Sequence, residues 1–261
     1  MLFFNIKIRQ VVVFGLMGLF IFTTACLEEG KRRPVSSGNV DGELNRCLSL
    51  ASRKKYEDAV ECLEIFKSRY PSGDKAASAD LLIADSYFRK KDYLVAAEAY
   101  QEFLRQYPTH AKAAYAYFQS GLSYLRFLPK SIARNQEHLD LAIKNLALVV
   151  EYYPDSDMFR PAQHELHRAL GRMAARDYYI ARFYYRFGEY KASILRFEEI
   201  VTKYPGVGYD EKSFYYLVLA HIRSGQIDQA RRASEIFADR FPRSPLAKKM
   251  TQKVSQVSKK G

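Results

Sequence analysis

The sequence predicts an all-α fold, a superhelical solenoid of five helix pairs with a capping helix at its C-terminal end. The first observation is a proline that recurs five times, each time directly after an aromatic residue. These prolines are Pro71, Pro108, Pro154, Pro205 and Pro242. The second observation is a small residue twelve positions before each proline: Ala59, Ala96, Ala142, Ser193 and Ala230. A helix that stops at proline and keeps one small residue at a fixed place can pack closely against a second helix.

The spacing of the prolines indicates the kind of solenoid. Successive prolines are 37, 46, 51 and 37 residues apart, which is the range of helix-turn-helix repeat arrays. An apolar residue five positions before each proline completes a helix face, and the order of small residue, aromatic residue and terminal proline is typical of the tetratricopeptide repeat (TPR). We therefore predict TPR units at about 43–71, 74–108, 110–154, 159–205 and 209–242, followed by a cap at 245–261.

The N-terminal 25 residues are predicted to be a lipoprotein signal peptide. Lys7 and Arg9 precede an apolar run at 11–22, which is shorter than the ~20 residues of a membrane-spanning helix. The run ends in Thr-Thr-Ala-Cys, which resembles a bacterial lipobox and would place lipid on Cys26, although lipoboxes usually have Leu at the position of Thr23. The alternative is an ordinary signal peptide with an incidental cysteine. Leu27 stands where an aspartate would retain a lipoprotein at the inner membrane, which favours the outer membrane of a Gram-negative bacterium, facing the periplasm.

Residues 26–42 read as the lipidated cysteine and a flexible tether, because they contain almost no apolar side chains. The whole chain has a formal net charge of +12, and residues 240–261 hold seven basic residues and no acidic one. A basic balance can indicate nucleic acid, but export to the periplasm argues against that partner. Anionic headgroups or an acidic protein surface remain, and a solvated basic tail is the alternative.

Cys47 and Cys62 are the other two cysteines, and the periplasm permits a disulfide between them. The first helix of repeat 1 is predicted to end near Arg53, and the second to begin at Tyr56. Each cysteine then lies about two turns from the same turn, so antiparallel packing could bring them together. A free buried pair is the alternative.

No residue constellation points to catalysis, a metal or a cofactor. His164 and His167 are three residues apart, whereas the zincin motif His-Glu-x-x-His places its ligands four apart, and a third ligand is not evident. The glycines do not form a phosphate-binding loop. We therefore predict a scaffold or peptide receptor rather than an enzyme.

Repeats 2 and 3 are unusually aromatic. Consecutive side chains on a helix diverge by about 100°, so these aromatic residues cannot all point into the core. An exposed set in a groove would suit an extended apolar peptide, and packing between repeats is the alternative. The candidate peptide-binding residues are Tyr87, Phe88, Tyr115, Tyr117, Phe118 and Tyr124.

Arg196 breaks the pattern of repeat 4. Nine residues before the other four prolines the chain has small or modest residues, namely Cys62, Ala99, Asn145 and Ala233. A cation on a rigid helix can pair with a carboxylate of another protein, so Arg196 is a candidate partner-binding residue. The alternative is a contact with Glu198 or Glu199 on its own helix.

Several of these features resemble the BamD family, the lipoproteins of the outer-membrane β-barrel assembly complex. The resemblance rests on the lipobox, on Pro108-Thr109-His110 followed by Tyr115 and Gly121-Leu122, on a polar insertion that contains Arg134, and on a long first helix in repeat 4 with Tyr184-Tyr185 and Gly188 at its end. It extends over nearly the whole mature chain.

The resemblance implies a non-enzymatic role in the folding and insertion of outer-membrane proteins. N-terminal repeats would bind the C-terminal signal of unfolded outer-membrane proteins, and C-terminal repeats would bind the barrel subunit BamA, with Arg196 on that second surface. Other lipoproteins of the complex would be further partners. The main alternative is a TPR lipoprotein of another kind, a pilotin or envelope scaffold for a secretion or pilus system.

Overall fold

A computed structural model describes residues 39–258 of the 261-residue chain. The predicted signal peptide, Cys26 and most of the tether therefore lie outside the described residues. The described part contains eleven helices and no strand. They are α1 Val40–Ser52, α2 Tyr56–Arg69, α3 Asp74–Lys90, α4 Tyr93–Gln106, α5 Ala113–Phe127, α6 Leu139–Tyr152, α7 Phe159–Arg186, α8 Tyr190–Lys203, α9 Asp210–Arg223, α10 Ile227–Arg240 and α11 Pro245–Ser258.

Each helix packs chiefly against the one before it and the one after it, and α1 also contacts α3, as α9 contacts α11. This nearest-neighbour packing is the defining property of a solenoid. The predicted all-α repeat fold is confirmed. The second helices of the five pairs are α2, α4, α6, α8 and α10, each 14 residues long.

The repeated residues form the core, which explains why the pattern recurs. The five small residues twelve positions before the prolines are completely inaccessible to solvent. The five apolar residues five positions before the prolines are at most 2% exposed: Phe66, Phe103, Val149, Ile200 and Phe237. A larger side chain at the small position would force the paired helices apart, and a smaller one at the apolar position would leave a cavity.

The first helix begins earlier than the sequence predicts, so the prediction of a tether extending to residue 42 is wrong at its end. Asn39 caps α1, because its side-chain oxygen accepts a hydrogen bond from the backbone N–H of Gly42 at 2.7 Å. Asp41 and Glu43 lie in the first turn, where the helix dipole favours negative charge.

Repeats 3 and 4 depart from the common length in two places. Residues 128–138 join α5 to α6 without helix, where the other pairs have a short turn. Helix α7 is 28 residues long and starts at Phe159. Residues 187–189 join α7 to the 14-residue helix α8, so α8 returns along the C-terminal half of α7 and the N-terminal half extends beyond it.

Candidate functional site

Arg196 lies on the outer face of α8 with half of its side chain exposed. One guanidinium nitrogen, Nη1, is 3.2 Å from Oε2 of Glu199, so the structure contains the contact within the helix. Glu199 also accepts a hydrogen bond from Lys203. This bond from Lys203, with the charges of Lys203 and Arg196, lowers the pKa of the Glu199 carboxyl, and burial opposes the shift. Glu199 therefore has a second cation available if Arg196 turns to a partner.

An open depression of about 220 Å³ adjoins Arg196. Tyr184 from α7 and Leu195 from α8 line it, and Leu195 is 68% exposed. A cation beside exposed apolar side chains is the combination found at protein interfaces, where arginine and aromatic residues are enriched.

The six aromatic residues of repeats 2 and 3 do not form an exposed set, and the prediction that they do is wrong. Tyr124 is 3% exposed, and the other five are half-buried. Tyr87 packs against the cores of repeats 1 and 2, and Tyr117 packs against those of repeats 2 and 3. Phe88 meets Tyr93 edge to face with ring centroids 5.5 Å apart. Aromatic bulk fills the space between adjacent helices here, which is the alternative that the sequence left open.

Hydrogen bonds fix the hydroxyl groups of three tyrosines in repeats 2 and 3. The hydroxyls of Tyr100 and Tyr115 both donate to Oδ1 of Asp85, the second at 2.7 Å. The hydroxyl of Tyr124 donates to Glu98 at 2.7 Å. Burial, reinforced by the charge of Asp85, raises the pKa of Tyr115 to about 12. These tyrosines therefore stay neutral and act as hydrogen-bond donors that join neighbouring helices.

Of the six residues, Tyr87 lines a groove on the surface of the solenoid. This groove, about 250 Å³, lies between α2 and α3, and Tyr56, Val60 and Lys90 also line it. The exposed edge of Tyr87 is thus available to an apolar side chain. The groove crosses from repeat 1 to repeat 2.

Cys47 and Cys62 join α1 to α2 through a disulfide, with an S–S distance of 2.04 Å and a Cα–Cα distance of 5.4 Å. Cys47 is 2% exposed and Cys62 is half-buried. Together with Glu43, Arg46 and Asp58 they line a groove of about 460 Å³ on the first helix pair. The bond closes a loop of 15 residues around the turn at 53–55.

The insertion at 128–138 is fastened to α7 by Arg172, a residue that sequence reasoning missed. Nε of Arg172 donates to Oε1 of Gln136 at 2.6 Å, and a terminal nitrogen of the same guanidinium donates to the carbonyl of Pro129. Gln136 is 2% exposed, and its amide donates to three carbonyls of the same loop. Burial lowers the pKa of Arg172. Arg134 itself is exposed.

His164 and His167 are both exposed on α7, and His164 lies 3.5 Å from a carboxylate oxygen of Glu165. Within residues 39–258, no group of three or more histidine, cysteine, aspartate and glutamate side chains is arranged to hold a metal ion. In the same range no helix combines the length and the apolar content that crossing a bilayer requires.

A family model described as "YfiO: Outer membrane lipoprotein" matches residues 46–236, which is most of the chain and all of repeats 2 to 4. The chain belongs to this family of outer-membrane lipoproteins. Together with the relatives described next, this match confirms the resemblance to BamD proteins that the sequence suggests.

Individual relatives carry the name "Outer membrane protein assembly factor BamD". The protein of Neisseria gonorrhoeae is 26% identical over 251 residues, which cover 91% of this chain and 93% of its own. The protein of Rickettsia prowazekii is 24% identical over 200 residues, which cover 77% of this chain and 79% of its own. Among solved structures, the TPR2AB domain of yeast Sti1 aligns with a TM-score of 0.41 at 12% identity, covering 85% of this chain and 84% of that one.

Proposed function

We propose that this chain is a non-enzymatic scaffold of the β-barrel assembly machinery, held at the outer membrane by lipid on Cys26 and facing the periplasm. The observation that carries the proposal is the match to assembly factors named BamD, which in the Neisseria gonorrhoeae protein runs along 91% of this chain. The relatives are matched along the solenoid and not in an isolated repeat, so the whole array of helix pairs is the functional unit.

The barrel subunit BamA binds, in this proposal, to the surface around Arg196. A carboxylate of that subunit replaces Glu199 as the partner of the guanidinium, while Lys203 continues to neutralise Glu199. Exchange of one carboxylate for another avoids leaving a charge unpaired, which is the costly outcome at an interface. Leu195 and Tyr184 add apolar contact at the side of the pair.

Unfolded outer-membrane proteins bind in the groove between α2 and α3, where the edge of Tyr87 is available. An apolar strand end gains ~25 cal/mol per Å² of apolar surface that it buries there. It also loses conformational entropy when it becomes ordered, so binding is modest and release to the barrel subunit is possible. Neither nucleic acid nor a cofactor has a part in this scheme, whereas other lipoproteins of the complex are further partners.

A crosslinking pull-down from cell envelopes tests the proposal with three forms of the lipidated protein: wild type, Arg196→Glu and Arg231→Glu. Arg231 is a matched control because it is exposed on α10 and pairs with Asp228 three residues away, as Arg196 pairs with Glu199. We expect wild type and Arg231→Glu to recover a β-barrel protein with periplasmic domains, and Arg196→Glu to recover several-fold less.

The possible results distinguish the assembly role of the protein from the role of Arg196 in the interface. Equal recovery of the barrel subunit by all three forms would leave the assembly role intact and remove Arg196 from the interface. Recovery of secretion or pilus components in place of the barrel subunit would overturn the assembly role itself.

A further inference from the structure

The C-terminal half of α7 displays a stripe of exposed aromatic side chains. Tyr179, Phe183 and Phe187 are four residues apart in sequence, so they lie on one face of the helix. They are 53%, 51% and 68% exposed, and the rings of Phe183 and Phe187 are in contact with centroids 4.5 Å apart. A contiguous exposed aromatic stripe of this kind marks a binding surface more often than an accident of composition.

Beside this stripe lies a cleft of about 350 Å³, which we call the α7–α9 cleft. Tyr178 and Tyr209 contact each other in its wall, with centroids 5.4 Å apart, and Ile132 of the insertion also lines it. A cleft of this size accommodates one or two side chains of a partner. The remaining lining residues are Ala175, Tyr179, Arg182, Phe183, Arg186 and Lys212.

The charge of the α7–α9 cleft is entirely positive. Arg182 and Arg186 line it from α7, Lys212 lines it from α9, and no lining residue is acidic. The guanidinium carbon of Arg182 is 5.0 Å from the ring centroid of Tyr216, a cation–π contact that holds the group in place. In residues 39–258 the ion pairs between side chains include none of these three cations.

The two acidic residues next to Lys212 in the sequence are engaged away from the cleft. Asp210 accepts a hydrogen bond from the backbone N–H of Gly206 at 2.9 Å and pairs with Arg240 at 3.2 Å. Glu211 accepts a hydrogen bond from Ser244. The carboxylates beside Lys212 are therefore engaged elsewhere, and Glu189, three residues after Arg186, forms no ion pair with that arginine in the described residues.

We propose that the α7–α9 cleft binds an acidic segment of a partner protein, with an aromatic or aliphatic side chain of that segment inserted between Tyr178 and Phe183. The carboxylates of the segment would pair with Arg186 and Lys212, which lie on different helices and so fix its direction. Cations from two helices beside an apolar cleft suit a segment that inserts one side chain and pairs at two points. This inference does not depend on the proposed function.

The test measures fluorescence anisotropy of a short labelled peptide that alternates glutamate and leucine around one phenylalanine. The first variant is Arg186→Glu with Lys212→Glu, two exposed residues outside the core. The matched control, Arg160→Glu with Arg168→Glu, reverses the charge of two exposed arginines in the N-terminal half of α7. It therefore changes the net charge by the same amount as the first variant. We expect the first variant to bind roughly tenfold more weakly, and the control to bind like wild type.

A second variant, Phe183→Ser with Phe187→Ser, keeps every charge and removes two of the three exposed rings of the stripe. We expect it to lose binding as well, and thermal unfolding followed by circular dichroism checks that all variants are folded. Unchanged binding by either variant would overturn the proposal, as would equal binding of a peptide with lysine in place of glutamate. Binding of phosphatidylglycerol vesicles with the same dependence on Arg186 and Lys212, but not of the peptide, would assign the cleft to a membrane surface instead.

Discussion

At the scale of single residues, close approach of two helices depends on Gly121. A Cβ atom built on Gly121 would lie 2.8 Å from Cγ of Leu146 and 3.2 Å from the backbone oxygen of Ala142. Both positions belong to α6, and Leu146 is completely buried, so the neighbour has little room to move. The glycine in the Gly121-Leu122 motif is thus explained by packing.

Gly121→Ala is expected to lower the free energy of unfolding by about 1–3 kcal/mol, because the added methyl group overpacks the α5–α6 contact. Gly171→Ala is the matched control in helix α7, where the nearest atom, the carbonyl oxygen of Val207, would be at an ordinary contact distance of 3.6 Å. We expect the control to gain up to ~1 kcal/mol from helix propensity. Urea unfolding measures both; a stabilised Gly121→Ala would contradict the packing argument.

The raised pKa values of the buried tyrosines predict how stability changes with pH. Burial is the main cause of a pKa of about 12 for Tyr115, Tyr178 and Tyr204. An unfolded tyrosine has a pKa of about 10, so the folded state retains protons that the unfolded state releases. The stabilisation is complete below about pH 10 and is lost as pH rises towards about 12.

We expect the free energy of unfolding to decline above about pH 10 and the decline to be smaller in Tyr115→Phe, which has no proton to lose. Tyr179→Phe is the control, since Tyr179 is 53% exposed. Urea unfolding at a series of alkaline pH values, with phenolate absorbance recorded on the same samples, measures both effects. An equal slope in wild type and Tyr115→Phe would rule out Tyr115 as a source of the pH dependence.

At the scale of helices, the disulfide between α1 and α2 stabilises the end of the array. The first helix pair has a neighbour on one side only within the described solenoid, so it buries less surface than an internal pair. Closing a loop of 15 residues contributes about 3 kcal/mol in the chain-entropy model. The bond thus compensates for the missing neighbour.

Reduction of the disulfide is expected to lower the stability of repeat 1 by about 3 kcal/mol and to leave repeats 3 to 5 unchanged. Hydrogen exchange with and without reductant measures this by segment. The Cys47→Ser, Cys62→Ser variant is the control and should not respond to reductant. Uniform loss of protection along the whole solenoid would contradict a local role, and alkylation of both thiols without reductant would show that no bond forms.

The insertion between α5 and α6 is a second element whose position depends on long-range polar contacts. Arg172→Leu removes the donors to Gln136 and Pro129 and leaves the buried amide of Gln136 with an unpaired oxygen. We expect faster hydrogen exchange at 128–138 and little change elsewhere. Arg168→Leu, one turn away and paired only with Glu165, should leave the loop protected. Equal exchange in both variants would mean that Arg172 does not hold the loop.

At the scale of the whole molecule, the sequence predicts the repeats because a solenoid core is periodic. Ala96 and Phe103 recur at fixed distances from each proline, and their counterparts are buried in every pair. Periodicity shows which face of a helix is buried, but it does not show which other helix packs against that face. Contacts such as that between Asp85 and Tyr115, 30 residues apart, are therefore not predictable from spacing.

Because spacing does not show which neighbour covers a helix face, it also led to the errors in the candidate site. Aromatic density in repeats 2 and 3 suggests exposure, but the alternate face of each helix is covered by the next repeat, and the rings fill that interface. Ala174 and Ala181 in the C-terminal half of α7 are buried, whereas Phe183 and Phe187 lie on another face of the same half and are exposed. The face that neighbouring helices cover decides which apolar residues reach solvent, and the spacing of residues in the sequence does not show that face.

The most direct test of the assembly role is depletion of this protein in its own bacterium, with the folded β-barrel proteins and the lipoproteins of the outer membrane quantified side by side. If the protein is an assembly factor, the amount of folded β-barrel proteins should decline after depletion while the amount of outer-membrane lipoproteins stays the same. Re-expression of wild type should restore the barrels, and Arg196→Glu should restore them less well. Normal barrel levels after depletion, together with loss of a secretion system or pilus, would contradict the account.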